Sequence, residues 1–189
     1  MVTRDKPFLS DIQELRRRAR EDMNTGPVTA EYGRDVRKAI DILNDALASE
    51  IVCVLRYKRH YFMATGLHSE PIAKEFQQHA NDEQMHVDQI AMRITQLGGE
   101  PNFNPDGLLT RSTSEYKEGH SLIEMIQEDL LAERVVIMWY TEIVRWFGDE
   151  DPTSRRLMEE LLAKEEEHAD DLRDLLVDLD TRGSRFTQP

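Results

Sequence analysis

An all-α four-helix bundle, made of two antiparallel hairpins joined by one long crossover, is the fold this sequence predicts. Three observations predict it. Four long segments carry apolar residues at alternating three- and four-residue steps, the spacing of one helix face. Short links join the first segment to the second and the third to the fourth, whereas residues 98–120 separate the second from the third. Each of the four stripes also carries a glutamate at mid-length.

The punctuation of the chain sets the elements in order. Gly26-Pro27 ends a short helical arm over about residues 8–24. Asp35 to Thr65 is the first long helix, with Gly66 as its stop. Ser69 is the expected cap of the second, with Pro71 in its first turn, and Gly98-Gly99 closes it after Leu97. A stretch rich in Pro, Asn, Gly and Ser follows, from Glu100 to His120. Ser121 and Glu124 form a capping box for the third helix, which ends near Phe147-Gly148. Asp151-Pro152 opens the fourth, which is expected to end near Asp180. The resulting organisation is an arm at 1–35, a bundle at 36–180 and a disordered tail at 181–189. A helix of some 28 residues is about 42 Å long, so a chain that must return along the bundle needs a link of this length.

Composition narrows the function classes. The 189 residues suit one domain. No apolar run approaches the roughly 20 residues that span a membrane, and the first residues lack the apolar stretch of a secretory signal. A cytoplasmic protein with no membrane partner is expected. The single cysteine, Cys53, excludes an internal disulfide and a cysteine-based zinc or rubredoxin-type iron site within one chain. The net charge of −13 argues against non-specific nucleic-acid binding by the body of the protein. Residues 1–35 hold seven basic and seven acidic side chains, so the whole excess lies beyond them. Within the arm, Arg16, Arg17, Arg18 and Arg20 form a basic cluster flanked by Glu14, Glu21 and Asp22. A solvated face or an intersubunit salt-bridge site is preferred there over a DNA contact.

The stripes carry the chemistry. The first helix reads Ile40, Leu43, Leu47, Glu50, Val54, Tyr57, Tyr61 and Ala64; the second reads Ile72, Phe76, His79, Glu83, His86, Ile90, Ile94 and Leu97. The third reads Ile126, Leu130, Glu133, Ile137, Tyr140, Val144 and Phe147; the fourth reads Met158, Leu161, Glu165, His168, Leu172 and Leu175. A buried lone carboxylate costs several kcal/mol unless it is paired or bound to a cation. Four converging in one core repel one another, and a pair of divalent cations resolves this. The i, i+3 spacing of Glu83/His86 and Glu165/His168 puts acid and imidazole on one face. One Glu from each of two helices plus Glu-x-x-His from the other two is the di-iron or di-manganese carboxylate pattern. Acidic runs such as Glu165-Glu166-Glu167 are usually solvated, and any single Glu-x-x-His is weak evidence. Six residues in one register at the same depth on four helices are not weak. The halves also repeat: Glu50/Tyr57 and Glu133/Tyr140 are both seven apart. Tyr57 either serves the site, by hydrogen-bonding a ligand or donating an electron, or is an ordinary core tyrosine. His79, one turn before Glu83, either holds or escorts another metal or is a core histidine. Asp82 and Asp129 flank the ligand set, and Cys53 reads as a small core filler.

Over about residues 36–178 the sequence resembles the bacterioferritin and Dps-like branch of the ferritin superfamily. The segments that carry the resemblance are Leu43–Glu50, Asp82-Glu83-Gln84-Met85-His86, Asp129-Leu130-Leu131-Ala132-Glu133 and Glu165-Glu166-Glu167-His168. The resemblance implies a ferritin-like bundle whose ferroxidase ligands are Glu50, Glu83, His86, Glu133, Glu165 and His168, with Glu83 and Glu165 bridging. It implies two iron ions per subunit, with manganese as the alternative, and places Tyr57 beside the site. There are departures. Bacterioferritins carry a haem-ligating methionine directly after the second-helix Glu; here that position is Gln84 and Met85 is one residue off, which argues against haem. No amphipathic fifth helix follows the fourth, which favours a homo-oligomeric 12-mer over a 24-mer. The implied reaction is oxidation of Fe(II) by O2 or H2O2, with iron stored or detoxified in a hollow shell. The alternatives are a manganese catalase-like activity and a peroxide-detoxifying, DNA-protecting Dps-like role.

Overall fold

The computed structural model describes residues 11–185 except 22, 25, 30, 67 and 68, with side chains described through residue 179. Its elements are α1 (Ile12–Glu21), α2 (Val36–Met63), α3 (Ser69–Gln96), α4 (Leu108–Arg111), α5 (Leu122–Phe147) and α6 (Pro152–Arg185). Helices α2 and α3 pack as one hairpin and α5 and α6 as the other, and the two hairpins close a four-helix bundle. No described helix is long and apolar enough to cross a membrane.

Polar caps start the long helices. The Asp35 carboxylate accepts from the Arg37 and Lys38 amides at 3.0 and 3.2 Å and opens α2. Ser121 accepts from the Glu124 amide at 3.2 Å. The return bond of that box comes one residue early, from the His120 amide to Glu124 at 2.7 Å. Asp151 accepts from the Ser154 amide at 2.9 Å to open α6, where Pro152 needs no donor. The same carboxylate takes Arg93 Nη2 at 3.0 Å and the Tyr32 hydroxyl at 2.6 Å, so one cap ties α6 to α3 and to the arm.

Several expectations are corrected. Ser69 is the first residue of α3, and its hydroxyl donates to the Gly66 carbonyl instead of receiving an amide. The crossover, expected to lack structure, contains the single-turn helix α4. Helix α6 runs five residues past its expected end, continuing through Gly183; residues 186–189 of the expected tail lie outside the described residues. The arm helix is shorter than expected, and residues 8–10 of its expected range lie outside the description. On α5 the buried residues are Met125, Ile126, Asp129, Ala132, Glu133, Val136, Tyr140, Ile143 and Phe147. Leu130, Ile137 and Val144 are only half-buried, one step off the innermost line.

The apolar core comes in two blocks. One gathers Leu43, Leu47, Ile90, Ile94, Ile143, Phe147, Met158 and Leu161. The other gathers Tyr57, Ile72, Phe76, Met125, Ile126 and Leu172. A polar layer lies between them at mid-bundle, so the blocks fix the depth and direction of the side chains in that layer.

The crossover is bolted along α2 by a polar stripe on that helix. Asn44 donates to the Glu100 carbonyl at 3.2 Å and accepts from the Asn102 amide at 2.8 Å. Ser49 accepts from the Thr113 amide at 3.0 Å. The Cys53 thiol approaches the Ser114 hydroxyl at 3.3 Å; burial pushes that thiol's pKa up, so it is protonated and inert. Arg56 donates to the Glu115 carbonyl at 2.9 Å, and His60 Nε2 lies 3.1 Å from the Lys117 carbonyl. Beneath the crossover, fully buried Asp129 of α5 accepts from Arg56 Nε at 2.6 Å and pairs with His60 Nδ1 at 2.7 Å. The crossover then turns at Gly119, whose φ is +61°. A Cβ there would lie 2.9 Å from the Met125 amide nitrogen. Gly119→Ala is expected to lower stability by about 1–3 kcal/mol, the usual range for a non-glycine residue forced into this conformation. Chemical denaturation checks it, and an unchanged midpoint would mean the turn relaxes freely.

Candidate metal centre

The polar layer contains all six expected ligand residues, and each comes from the helix that the spacing assigns. Glu50 projects from α2, Glu83 and His86 from α3, Glu133 from α5, and Glu165 and His168 from α6; all six are buried. They arrive there because each replaces an apolar residue in a stripe that the two core blocks hold inward.

Their donor atoms fall into two overlapping groups. Glu50, Glu83, His86 and Glu165 form one, and Glu83, Glu133, Glu165 and His168 form the other. Glu83 and Glu165 belong to both. His86 Nδ1 lies 3.0 Å from Glu165, 3.3 Å from Glu50 and 3.5 Å from Glu83. His168 Nδ1 lies 3.3 Å from Glu83 and 3.7 Å from Glu165. Both imidazoles therefore turn Nδ1 toward the shared acids. The outer nitrogen of His168, Nε2, is set by Asp82 at 3.4 Å, and Asp82 in turn accepts from Gln78 at 3.0 Å. A carboxylate on the far nitrogen of a histidine fixes its ring and tautomer in metal sites generally.

Tyrosines hold the outer acids crosswise. The Tyr57 hydroxyl donates to Glu133, and the Tyr140 hydroxyl donates to Glu50. Tyr57 thus serves the acid of the other hairpin rather than its own helix's Glu50. Tyr140, seven residues after Glu133, completes the second half of the pattern; the repeated spacing was the signal for it, although the sequence reading gave it no site role.

The electrostatics split the four acids. Burial, and the charges of Glu83 and Glu165, push Glu50 well above the usual carboxyl range, and Glu133 rises for the same reasons. Burial opposes ionisation of Glu83 and Glu165 too, but the nearby imidazoles and outer acids hold both below the usual value. For His168, burial is outweighed by Glu165 and Glu83, and its pKa rises to about 11; His86 is raised in the same way by Glu50, Glu165 and Glu83. Without a cation the layer therefore holds two neutral acids, two carboxylates and two imidazoliums. Even so, both oxygens of Glu83 and of Glu165, one oxygen of Glu133, and His168 Nδ1 make no hydrogen bond. Buried polar atoms without partners are rare in native proteins, and here they face one another across two pockets of oxygen and imidazole donors. That donor set fits two divalent transition-metal ions.

His79 is also buried, one turn before Glu83, with Glu75 and Asp171 beside it. Burial lowers its pKa to about 3, so its ring is neutral. Glu75 and Asp171 were not singled out from the sequence, since half-exposed acids on helices are common. Arg56 and His60 were missed as well, because they occupy the second, polar stripe of α2.

Comparison with known proteins agrees with this architecture. The family model described as ferritin-like domain matches residues 40–181. Bacterioferritin BfrA of Mycobacterium tuberculosis is 32% identical over 146 residues, covering 77% of this chain and 87% of that protein. A nutrient stress-induced DNA-binding protein of Nostoc is 31% identical over 154 residues, covering 78% of this chain and 81% of the relative. Among solved structures, the bacterioferritin-related protein of Bacteroides fragilis, described as a dodecameric thioferritin, superposes with a TM-score of 0.79. It shares 29% identity and covers 82% of this chain and 94% of its own. With the fold, the six-residue layer and these relatives in agreement, the chain belongs to the ferritin-like family, in its bacterioferritin- and Dps-like branch.

Proposed function

We propose that the protein is a ferroxidase: it binds two Fe(II) per chain at Glu50, Glu83, His86, Glu133, Glu165 and His168 and oxidises them with O2 or H2O2. The observation that carries this reading is the pair of overlapping donor groups that share Glu83 and Glu165. In this reading Glu50 and Glu133 are the terminal acids, one per ion, and Glu83 and Glu165 bridge. Two Fe(II) held side by side supply two electrons together to one oxidant. The chain's own residues do the rest. Tyr57 and Tyr140 fix the orientation of the terminal acids, Asp82 sets the His168 ring, and the two apolar blocks keep bulk water from the layer. Manganese is the alternative occupant. Haem is left out of the proposal, since Gln84 follows Glu83 and its side chain bonds Asp88 at the surface.

Storage or detoxification of the oxidised iron in a hollow homo-oligomer, a 12-mer in preference to a 24-mer, is part of the proposal. The similarity to the dodecameric protein of Bacteroides fragilis supports it. DNA coating is not favoured: in the arm, Arg17 pairs with Glu14 and Glu21, and Arg18 pairs with Glu31 and Glu14.

The test is anaerobic Fe(II) titration of the metal-free protein, followed by stopped-flow absorbance after mixing with O2 or H2O2. Rapid oxidation of two inner Fe(II) per chain is expected. Glu50→Ala and Glu133→Ala are expected to slow it by more than about 100-fold, beyond the 10–100-fold typical of losing a residue that only orients a ligand. Wild-type rates in both variants would refute the assignment, and binding without oxidation would turn the reading toward manganese chemistry.

A further inference from the structure

The seam between α3 and α6 carries a second donor cluster that the six-residue layer does not use. At its centre is His79, 1% exposed, and neither of its ring nitrogens has a hydrogen-bond partner. The ring is clamped. It stacks on His168 with centroids 4.0 Å apart and planes 21° from parallel, and Tyr57 meets it edge-on at 5.1 Å. Nε2 faces outward, 3.3 Å from a Glu75 oxygen and 3.6 Å from an Asp171 oxygen, without hydrogen-bond geometry to either. Glu75 is one turn before His79 on α3, and Asp171 is three residues after His168 on α6, so helix geometry puts all three on one seam. The two carboxylates are partly exposed and open onto a cleft that Asp174 also lines.

A buried polar group without a partner carries its full desolvation penalty, so an orphaned imidazole clamped in one orientation calls for an occupant. Two anionic carboxylates facing its lone pair exclude an anion and favour a cation. The spacing suits a metal ion. With metal–ligand bonds of about 2.1 Å, donors at octahedral to tetrahedral angles lie about 3.0–3.4 Å apart. One imidazole with two carboxylates selects a transition ion over magnesium or calcium, which take oxygen.

We infer that Glu75, His79 and Asp171 form a third divalent transition-metal site, separate from the six-residue layer and open to solvent on the α3–α6 seam. It shares no ligand with the inner pair. His168 Nδ1 faces the inner acids, whereas the His79 nitrogen that meets Glu75 and Asp171 faces the cleft. Occupancy of this site therefore does not depend on the ferroxidase reading.

The test is equilibrium dialysis of the full chain against Co(II), paired with anomalous diffraction from Co(II)-soaked crystals. A peak about 2.1 Å from His79 Nε2, bounded by Glu75 and Asp171, is expected, with three Co(II) per chain in all. The double variant Glu75→Gln/Asp171→Asn changes only partly exposed side chains and is expected to keep two. His79→Phe, which retains the stacked ring, is expected to do the same. Glu50→Ala/Glu133→Ala, by contrast, is expected to lose inner metal and keep the seam peak. No density at the seam when the inner pair is full, or an unchanged count in both seam variants, overturns the inference and leaves the inner centre standing. A seam peak with the inner layer empty supports it while refuting the two-metal centre.

Discussion

Loading the inner layer with two divalent ions is expected to release four protons near neutral pH. Glu50 and Glu133 are held neutral by burial and by their ionised neighbours, and His86 and His168 are held as imidazoliums. Each must give up a proton before it can bind a metal, whereas Glu83 and Glu165 are already ionised. Two acids and two imidazoliums account for the four. The exchange also balances charge, since four protons leave as two doubly charged ions enter. Protons and metal compete for the same atoms, so affinity falls as pH falls. With four protons at stake, the combined affinity for the pair drops by about 10⁴-fold per pH unit around neutrality. The metal-free layer follows the opposite trend. The imidazolium–carboxylate pairs stabilise the fold fully below the ordinary histidine value, and this is lost as pH rises through about 11 for His168. Calorimetric titration in buffers of different ionisation enthalpy counts the protons. Release of only two would show that Glu50 and Glu133 are already ionised in the metal-free protein.

Asp129→Ala is expected to lower stability by about 3–5 kcal/mol, the range for breaking a fully buried ion pair on one side. For a chain of this size that is a loss of about 6–20 °C in Tm. The reason is geometric. Asp129 is the shared acceptor for Arg56 and His60, and both bases also reach crossover carbonyls. Removing it leaves a buried guanidinium without its counter-charge and loosens the crossover at the same stroke. An apolar replacement of the whole set, Asp129→Leu with Arg56→Met and His60→Phe, is expected to recover much of the loss, because the pair's desolvation disappears with it. Thermal unfolding followed by circular dichroism measures both. A loss under 1 kcal/mol for Asp129→Ala would mean that water enters and solvates Arg56.

The six inner residues were legible because an acid in an apolar stripe is chemically anomalous, and the same anomaly recurs on four helices. Loop lengths were enough for the hairpins and crossover. Helix α5 shows where such reading stops. Leu130, Ile137 and Val144 make as regular a stripe as Asp129, Val136 and Ile143, and the true line was decided by Arg56, a residue 73 positions away. The polar stripe of Asn44, Ser49, Cys53, Arg56 and His60 drew no reading from the sequence beyond Cys53 as a core filler, because most of its partners are backbone groups of the crossover with no side-chain signature. Helix α4 spans four residues, too few for periodicity to register, and starts from Gly107 at φ +74°. Glu75 and Asp171 carry no anomaly of their own; only the clamped ring of His79 between them makes them notable.

The crossed bonds from Tyr57 to Glu133 and from Tyr140 to Glu50 also bear on how the two halves of the chain can diverge. Each hairpin supplies an outer acid but not the hydroxyl that steadies it. A change in length or tilt in one hairpin is therefore felt at the acid of the other. The natural unit of variation is a residue pair that spans the crossover rather than a helix and its neighbour. Two repeated halves wired in this way drift together or lose the site, and the near-identical spacing in each half is what such a constraint would leave behind.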